Sequence, residues 1–274
     1  MSSGTLDLPV SRARTDTGRD YLSFSAIRLY QTCPLKFFYR YCLGLPEETV
    51  SSSLVFGGSI HQSIEHHFRE LLVGNPPPSS EALLAEFWEG WKERELEEVR
   101  FNKGEDIDSV GQLAQRTIAA FQQSDVAQPA GQILAVEEEL RGPVVPGCPD
   151  ILGRVDLIVD TGSELVVSDW KTARSRWSQE QAEDAAEQLI LYSELAKDFA
   201  PGKPVMLEFI ILTKTKEAAV DRHLMPVDLA QVRRTKKVVE NVWRAIESGS
   251  FYPAPSAMNC PSCPYREQCR TWSG

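Results

Sequence analysis

Long apolar runs are missing from this sequence. No stretch of 18 apolar residues occurs in its 274 positions, which excludes a helical membrane span. The first twenty residues, MSSGTLDLPVSRARTDTGRD, lack the apolar segment of a secretory leader. They read as a flexible arm on an intracellular, cytoplasmic chain. Neither GxxxxGK[ST] nor GxGxxG is present, so the chain carries no ATPase or dinucleotide signature. Positive charge is also short: 29 Lys and Arg stand against 39 Asp and Glu, a net charge of −10. That balance excludes a broadly electropositive nucleic-acid binder. It leaves a narrow cleft open, because net charge says little about one site, and bound metal ions add charge that composition does not count.

What is present is an ordinary folded composition, 42% apolar and 25% charged. Ser23 or Ser25 can cap a helix running to about Cys42, rich in aromatics and carrying Lys36 and Arg40 four residues apart on one side. A second helix is expected from Gly58 to Leu72. After the break GNPPPSS come charged helices at 81–100 and 108–124; between 81 and 108 ten acids face four bases, a solvated acidic surface. ILAVEEEL opens the strand section, with mixed periodicity. LGRVDLIVD alternates, with Val155, Leu157 and Val159 on one side. LVVSDWKT returns after a short turn, so the two strands are expected to be antiparallel neighbours. A helix at 180–199, a central strand at 205–213, a strand at 218–225 and a helix at 228–247 complete an α/β or α+β core.

Two constellations carry chemistry. Asp156 and Asp169 fall on the paired strands, and Lys171, two residues beyond Asp169, shares its face. Two acids and a lysine converging in a covered sheet are costly, and a divalent cation offsets that cost with hard oxygen ligands suited to Mg²⁺ or Mn²⁺. His61 and Glu65 share one helix face at i and i+4, so His61 can add an imidazole; Gln188 and Tyr192 repeat the spacing after the lysine strand. The second constellation is Cys260, Cys263 and Cys269, a C-x2-C-x5-C tail. Cys33, followed by Pro like Cys260 and Cys263, is the best fourth partner. Four cysteines fit zinc and iron-sulfur equally by ligand count. Cys42 and Cys148 read as small buried hydrophobes.

Taken in order, LSFSAIRLYQTCPLKFFYRYCLGL, GGSIHQSIE, GRVD, SDWKT, QLILY and the cysteine tail span about residues 22–270. This series resembles the RecB-like branch of the PD-(D/E)XK nucleases, in its iron-sulfur version, as in the AddB nuclease domain and the CRISPR adaptation nuclease. The resemblance implies a restriction-endonuclease-like α/β core with a mixed central sheet flanked by helices. An N-terminal helical insertion and a C-terminal cysteine cluster would be added to it. One nuclease domain would cover 21–274, its helical part at about 21–125 and its catalytic core at 57–72 and 130–248.

The implied activity is metal-dependent hydrolysis of DNA phosphodiesters, with the 3′ oxygen leaving, as an exonuclease in repair, recombination or CRISPR adaptation. Asp156, Asp169, His61 and the Trp170 carbonyl would hold Mg²⁺ or Mn²⁺. Lys171 would orient the attacking water and Glu65 assist. Gln188 and Tyr192 would position the strand, and Lys36 and Arg40 are candidates to touch phosphate. Cys33, Cys260, Cys263 and Cys269 would hold a [4Fe-4S] cluster closing the chain on itself. The acidic helices suit a threaded single strand better than a tightly held duplex. A separate helicase or CRISPR adaptation proteins are the expected partners, and a non-catalytic DNA-binding or scaffold subunit is the alternative.

Overall fold

A computed structural model describes residues 19–47, 49–94 and 98–273. The expected arm at 1–20 lies outside them except for its last two residues. Of these, Arg19 stacks on the Tyr41 ring at 4.8 Å and Asp20 pairs with Arg141 at 2.8 Å.

The first strand, β1 (Tyr21–Ser23), leads into α1 (Phe24–Thr32), whose start is capped by Ser23 Oγ accepting from Ala26 N–H. The expected continuous helix to Cys42 is broken. Cys33 is extended, with φ −162° and ψ 103°, as a residue preceding proline prefers. The chain then resumes as α2 (Pro34–Phe37) and a π-helical turn at Phe38–Cys42.

A two-stranded parallel ribbon of β2 (Thr49–Ser51) and β3 (Glu98–Arg100) stands apart from the main sheet. Between its strands lie α3 (Ser52–Leu72) and α4 (Ser80–Arg94). The first of these starts six residues earlier than expected, because Ser51 caps it by accepting from Leu54 N–H. Next comes α5 (Ile107–Gln123), opened by a reciprocal cap between Asp106 and Ser109.

The main sheet is built from β4 (Gln132–Gly142), β5 (Asp150–Asp160), β6 (Leu165–Ala173), β7 (Val205–Thr213) and β8 (Val220–Pro226), with β1 added. It is mixed. β5 pairs antiparallel with β4 and β6, β7 runs parallel to β6, and β8 is antiparallel to β7. The parallel step needs a crossover. It is made by α6 (Gln179–Asp184) and α7 (Glu187–Ala196), two helices where one was expected. The last two helices are α8 (Leu229–Glu247), capped by Asp228, and the short α9 (Arg266–Arg270).

One apolar layer joins the sheet to α1, α7 and α8, and the other joins it to α3, α4 and α5. Among the described residues no helix is long and apolar enough to cross a membrane.

Besides a bulge on β4 between Ile133 and Ala135, the sheet is irregular beside Asp156. Val155 and Ile158 pack into the α7–α8 layer, whereas Leu157 and Val159 pack into the α3–α5 layer. The expected grouping of Val155 with Leu157 and Val159 therefore fails: the alternation slips by one residue at Asp156. Opposite it on β4, between the pairs Val136–Leu157 and Glu138–Val155, Glu137 has φ 49°. This left-handed conformation costs a non-glycine residue about 1–2 kcal/mol. The β5–β6 ladder ends at Leu157–Ser168, and ahead of that point β1 takes the free edge of β5 at Asp150–Leu152. The strands thus part beside Asp156, and that gap is where the polar residues gather.

Candidate active site

Asp156 is the centre of the gap. Its Oδ2 accepts the Trp170 backbone N–H at 2.6 Å, replacing the ladder bond that the diverging strands no longer make. His61, two turns into α3, brings Nδ1 to 3.6 Å from Asp156 Oδ2 and 3.7 Å from Glu137 Oε1. The donor atoms of His61, Glu137 and Asp156 all lie within 4.8 Å of one another. Burial opposes the charge on His61. The carboxylates of Asp156, Glu137 and Asp169 outweigh it and raise its pKa to about 9. Burial pushes Asp156 up to about 7; His61 opposes that shift, and Asp169 and Glu137 add to it. Three acids, one of them on a strained backbone, crowd this imidazole, with Arg154 3.5 Å from Glu137 and Lys171 2.6 Å from Asp169. The hard oxygens and single nitrogen fit Mg²⁺ or Mn²⁺.

Asp169 and Lys171 share a face of β6, as alternation predicts, and pair at 2.6 Å. Burial works against the Lys171 charge, but Asp169 more than restores it, so the ammonium is held above its ordinary pKa. Lys171 Nζ also donates to Gln188 Oε1 at 3.1 Å, and Gln188 Nε2 donates to Tyr192 Oη at 3.0 Å. The Tyr192 ring lies flush on Gly153, where a Cβ would come within 2.3 Å of Cε1. The glycine of GRVD is therefore the seat of the tyrosine of QLILY. Gln188 and Tyr192 link the lysine strand to the aspartate strand.

The other expected site residues are placed elsewhere. Glu65 accepts from Arg69 at 2.7 Å and stands outside the His61 group. Arg40, in the π-helical turn, pairs with Glu47 at 3.3 Å, and Lys36 is half-buried on α2. At Trp170 the expected ligand is the backbone carbonyl; its side chain is buried against Phe68 and Phe121. His67 is likewise a core residue, bonded to Ala127 O at 2.8 Å. Glu137 was not anticipated. Its only signal was the acidic run in ILAVEEEL, which spoils the strand period, and nothing local told a solvated glutamate from a buried one.

The iron-sulfur expectation is not upheld. Among the described residues the group of metal-ligating side chains that converges is His61, Glu137 and Asp156, not Cys33, Cys260, Cys263 and Cys269. The four cysteines are free and half-buried. They are neighbours, since burial and then Cys33, Cys263 and Cys260 push the Cys269 thiol up. What joins the N-terminal helices to the tail is packing and hydrogen bonding. Buried Tyr265 donates to Leu45 O at 3.0 Å, Tyr39 to Gln268 O at 3.1 Å, and Leu35 N–H to Tyr252 O at 3.0 Å. Phe38 and Phe251 meet at 4.8 Å between ring centroids. The assignment to an iron-sulfur branch, its cluster and its cofactor are corrected accordingly to a His/Glu/Asp site of the Mg²⁺ or Mn²⁺ type.

No curated protein sequence matches the chain. Among solved structures, a protein named "Putative exonuclease" from Eubacterium rectale superposes with a TM-score of 0.56 at 14% identity, covering 98% of this chain and 93% of that one. At that identity the likeness shows the fold alone. The protein SSO0001 aligns over 90% of this chain and 95% of its own, also at 14% identity, but with a TM-score of 0.36. The fold is the restriction-endonuclease-like α/β arrangement, and a family model described as the PD-(D/E)XK nuclease superfamily matches residues 21–270. With a strand gap that gathers His61, Glu137 and Asp156 beside Lys171, and with that match over nearly the whole length, the chain belongs to the PD-(D/E)XK nuclease superfamily.

Proposed function

We propose that this chain is a divalent-metal-dependent deoxyribonuclease that hydrolyses single-stranded DNA from an end, in the cytoplasm, during repair, recombination or CRISPR adaptation. One observation carries the reading: three metal-ligating groups within 4.8 Å of one another, next to a half-buried lysine fixed by Asp169 and Gln188. His61, Glu137 and Asp156 would hold Mg²⁺ or Mn²⁺, with Asp169 and the Trp170 carbonyl next in line. Such an ion supplies positive charge against the phosphate and acidifies water.

The remaining work falls to the side chains. Lys171 stays protonated, so it acts as a cation: it orients the attacking water and stabilises charge growing on the phosphate. Asp169 fixes the ammonium. Gln188 and Tyr192 lock it to the backbone of the Asp156 strand and set its reach. Glu65 holds a water at the rim. Cleavage leaves a 5′ phosphate and a 3′ hydroxyl.

The test compares linear and circular single-stranded DNA, with Mg²⁺ or Mn²⁺, for the wild type and Asp169→Ala. Degradation of the linear strand alone, abolished in the variant, is expected. Equal behaviour of the two proteins would make the chain a binding or scaffold subunit instead, and cleavage of the circle would remove the end requirement.

A further inference from the structure

We propose that Arg174 and Lys214 form a binding site for the backbone phosphates of single-stranded DNA, at the ends of β6 and β7 beyond the catalytic lysine. The proposal rests on the nuclease reading and extends it to the path of the strand. Arg174 lies three residues past Lys171, about 10 Å along extended chain. Lys214 follows β7 directly, and its N–H donates to Ala173 O at 2.7 Å, which sets it beside Arg174. Its ammonium lies 5.8 Å from the Phe56 ring centroid on α3. Phe56 precedes His61 by five residues, about 7.5 Å of helix. Between them Gly57 lets α3 press against β6, since a Cβ there would sit 3.3 Å from Thr172 Oγ1. The first turns of α3 and the end of β6 therefore define one track, with the metal-type site at one end and the two cations at the other.

Neither cation is held in an ion pair within 4 Å among the described residues. Arg174 is exposed and makes no ion pair among the described residues. Lys214 is pushed below its ordinary pKa by burial and then by Arg174. The one acid acting on it, Glu105, is already bonded by Ser52 Oγ at 2.5 Å and by Asn102 N–H at 3.0 Å. The neighbouring Arg176 is committed elsewhere, pairing with Asp221 at 2.6 Å. On a chain of net charge −10, two adjacent cations answered by one carboxylate, Glu105, are an arrangement that an anionic ligand relieves. A single strand whose scissile phosphate meets Lys171 and which follows the end of β6 passes over this pair.

The experiment has two arms, both on the full chain. Binding of fluorescein-labelled oligothymidylate is followed by anisotropy between about 50 and 200 mM salt. Turnover of bis(p-nitrophenyl) phosphate, a one-phosphate diester that reaches only the metal-type site, is measured with Mn²⁺. In R174A/K214A the slope of log K against log salt is expected to fall by about 1.4, or 0.7 for each of two lost phosphate contacts on a single strand. Turnover of the small diester should be unchanged, and R174K/K214R should keep the wild-type slope. An unchanged slope in R174A/K214A overturns the site, as does an equal loss in the charge-conserving variant. Wild type that turns over neither substrate, yet loses slope in R174A/K214A, refutes the nuclease reading and supports the phosphate site.

Discussion

Substituting Gly153 by alanine tests the link between the strands that carry Asp156 and Lys171. The added methyl would lie 2.3 Å from Tyr192 Cε1, 2.5 Å from Cδ1 and 3.2 Å from Cζ. Tyr192 is only 6% exposed, so its ring has no open space to retreat into. The backbone of Gly153 is ordinary strand, so the cost is steric rather than conformational. Overpacking of this kind costs about 1–3 kcal/mol. A displaced Tyr192 also loses its bond from Gln188, about 0.5–1.5 kcal/mol more. Denaturant unfolding should show the midpoint falling with no change in slope. The decisive step is the cycle with Tyr192→Ala. If the clash is the cause, G153A should cost little once the ring is gone, with a coupling of about 1–3 kcal/mol between the two changes. Catalysis should fall with stability held in excess, because Lys171 loses the neighbour that orients Gln188. A G153A protein as stable as the wild type, or additive effects in the cycle, would refute the packing account.

Four further outcomes follow from the geometry. Mn²⁺ at about 100 times its Kd should stabilise the wild type by about 2.7 kcal/mol in a thermal-shift assay, and H61A, D156A or E137G should lose that response. E137G, relieved of its φ of 49°, should nonetheless be no less stable than the wild type without metal; a clear loss of metal-free stability would remove the strain argument. His67 is held below its ordinary pKa of 6.5 by burial, partly opposed by the Ala127 carbonyl and assisted by His66. Below pH 6.5 the unfolded chain takes the proton first, so stability should fall on acidification by up to about 1.4 kcal/mol per pH unit; H67Q should flatten that slope, and an unaltered slope would count against it. Tyr265→Phe removes the hydroxyl bond to Leu45 O and should cost about 0.5–1.5 kcal/mol, read by denaturant midpoint; no change would mean the tail is held by packing alone.

Much of the molecule follows from local chemistry in the sequence. The short turn after Asp160 made β5 and β6 antiparallel neighbours, and the period of two put Asp169 and Lys171 on one face. Helical spacing brought Gln188 and Tyr192 together, and Ser23 capped its helix as its hydroxyl allows. These features depend on residues a few positions apart, so a single sequence contains them. Tertiary structure decided the rest. The divergence of β6 from β5, with β1 filling the freed edge, reversed the strand alternation at Asp156 and forced Glu137 into a left-handed turn toward His61. That carboxylate lies 76 positions along the chain from its histidine partner. Only the sheet and α3 together bring them near. The same dependence on distant packing explains the cysteines: their spacing describes a tail that can ligate, whereas the fold docks that tail through Tyr265, Tyr39 and Phe251 and gathers the metal-type donors elsewhere.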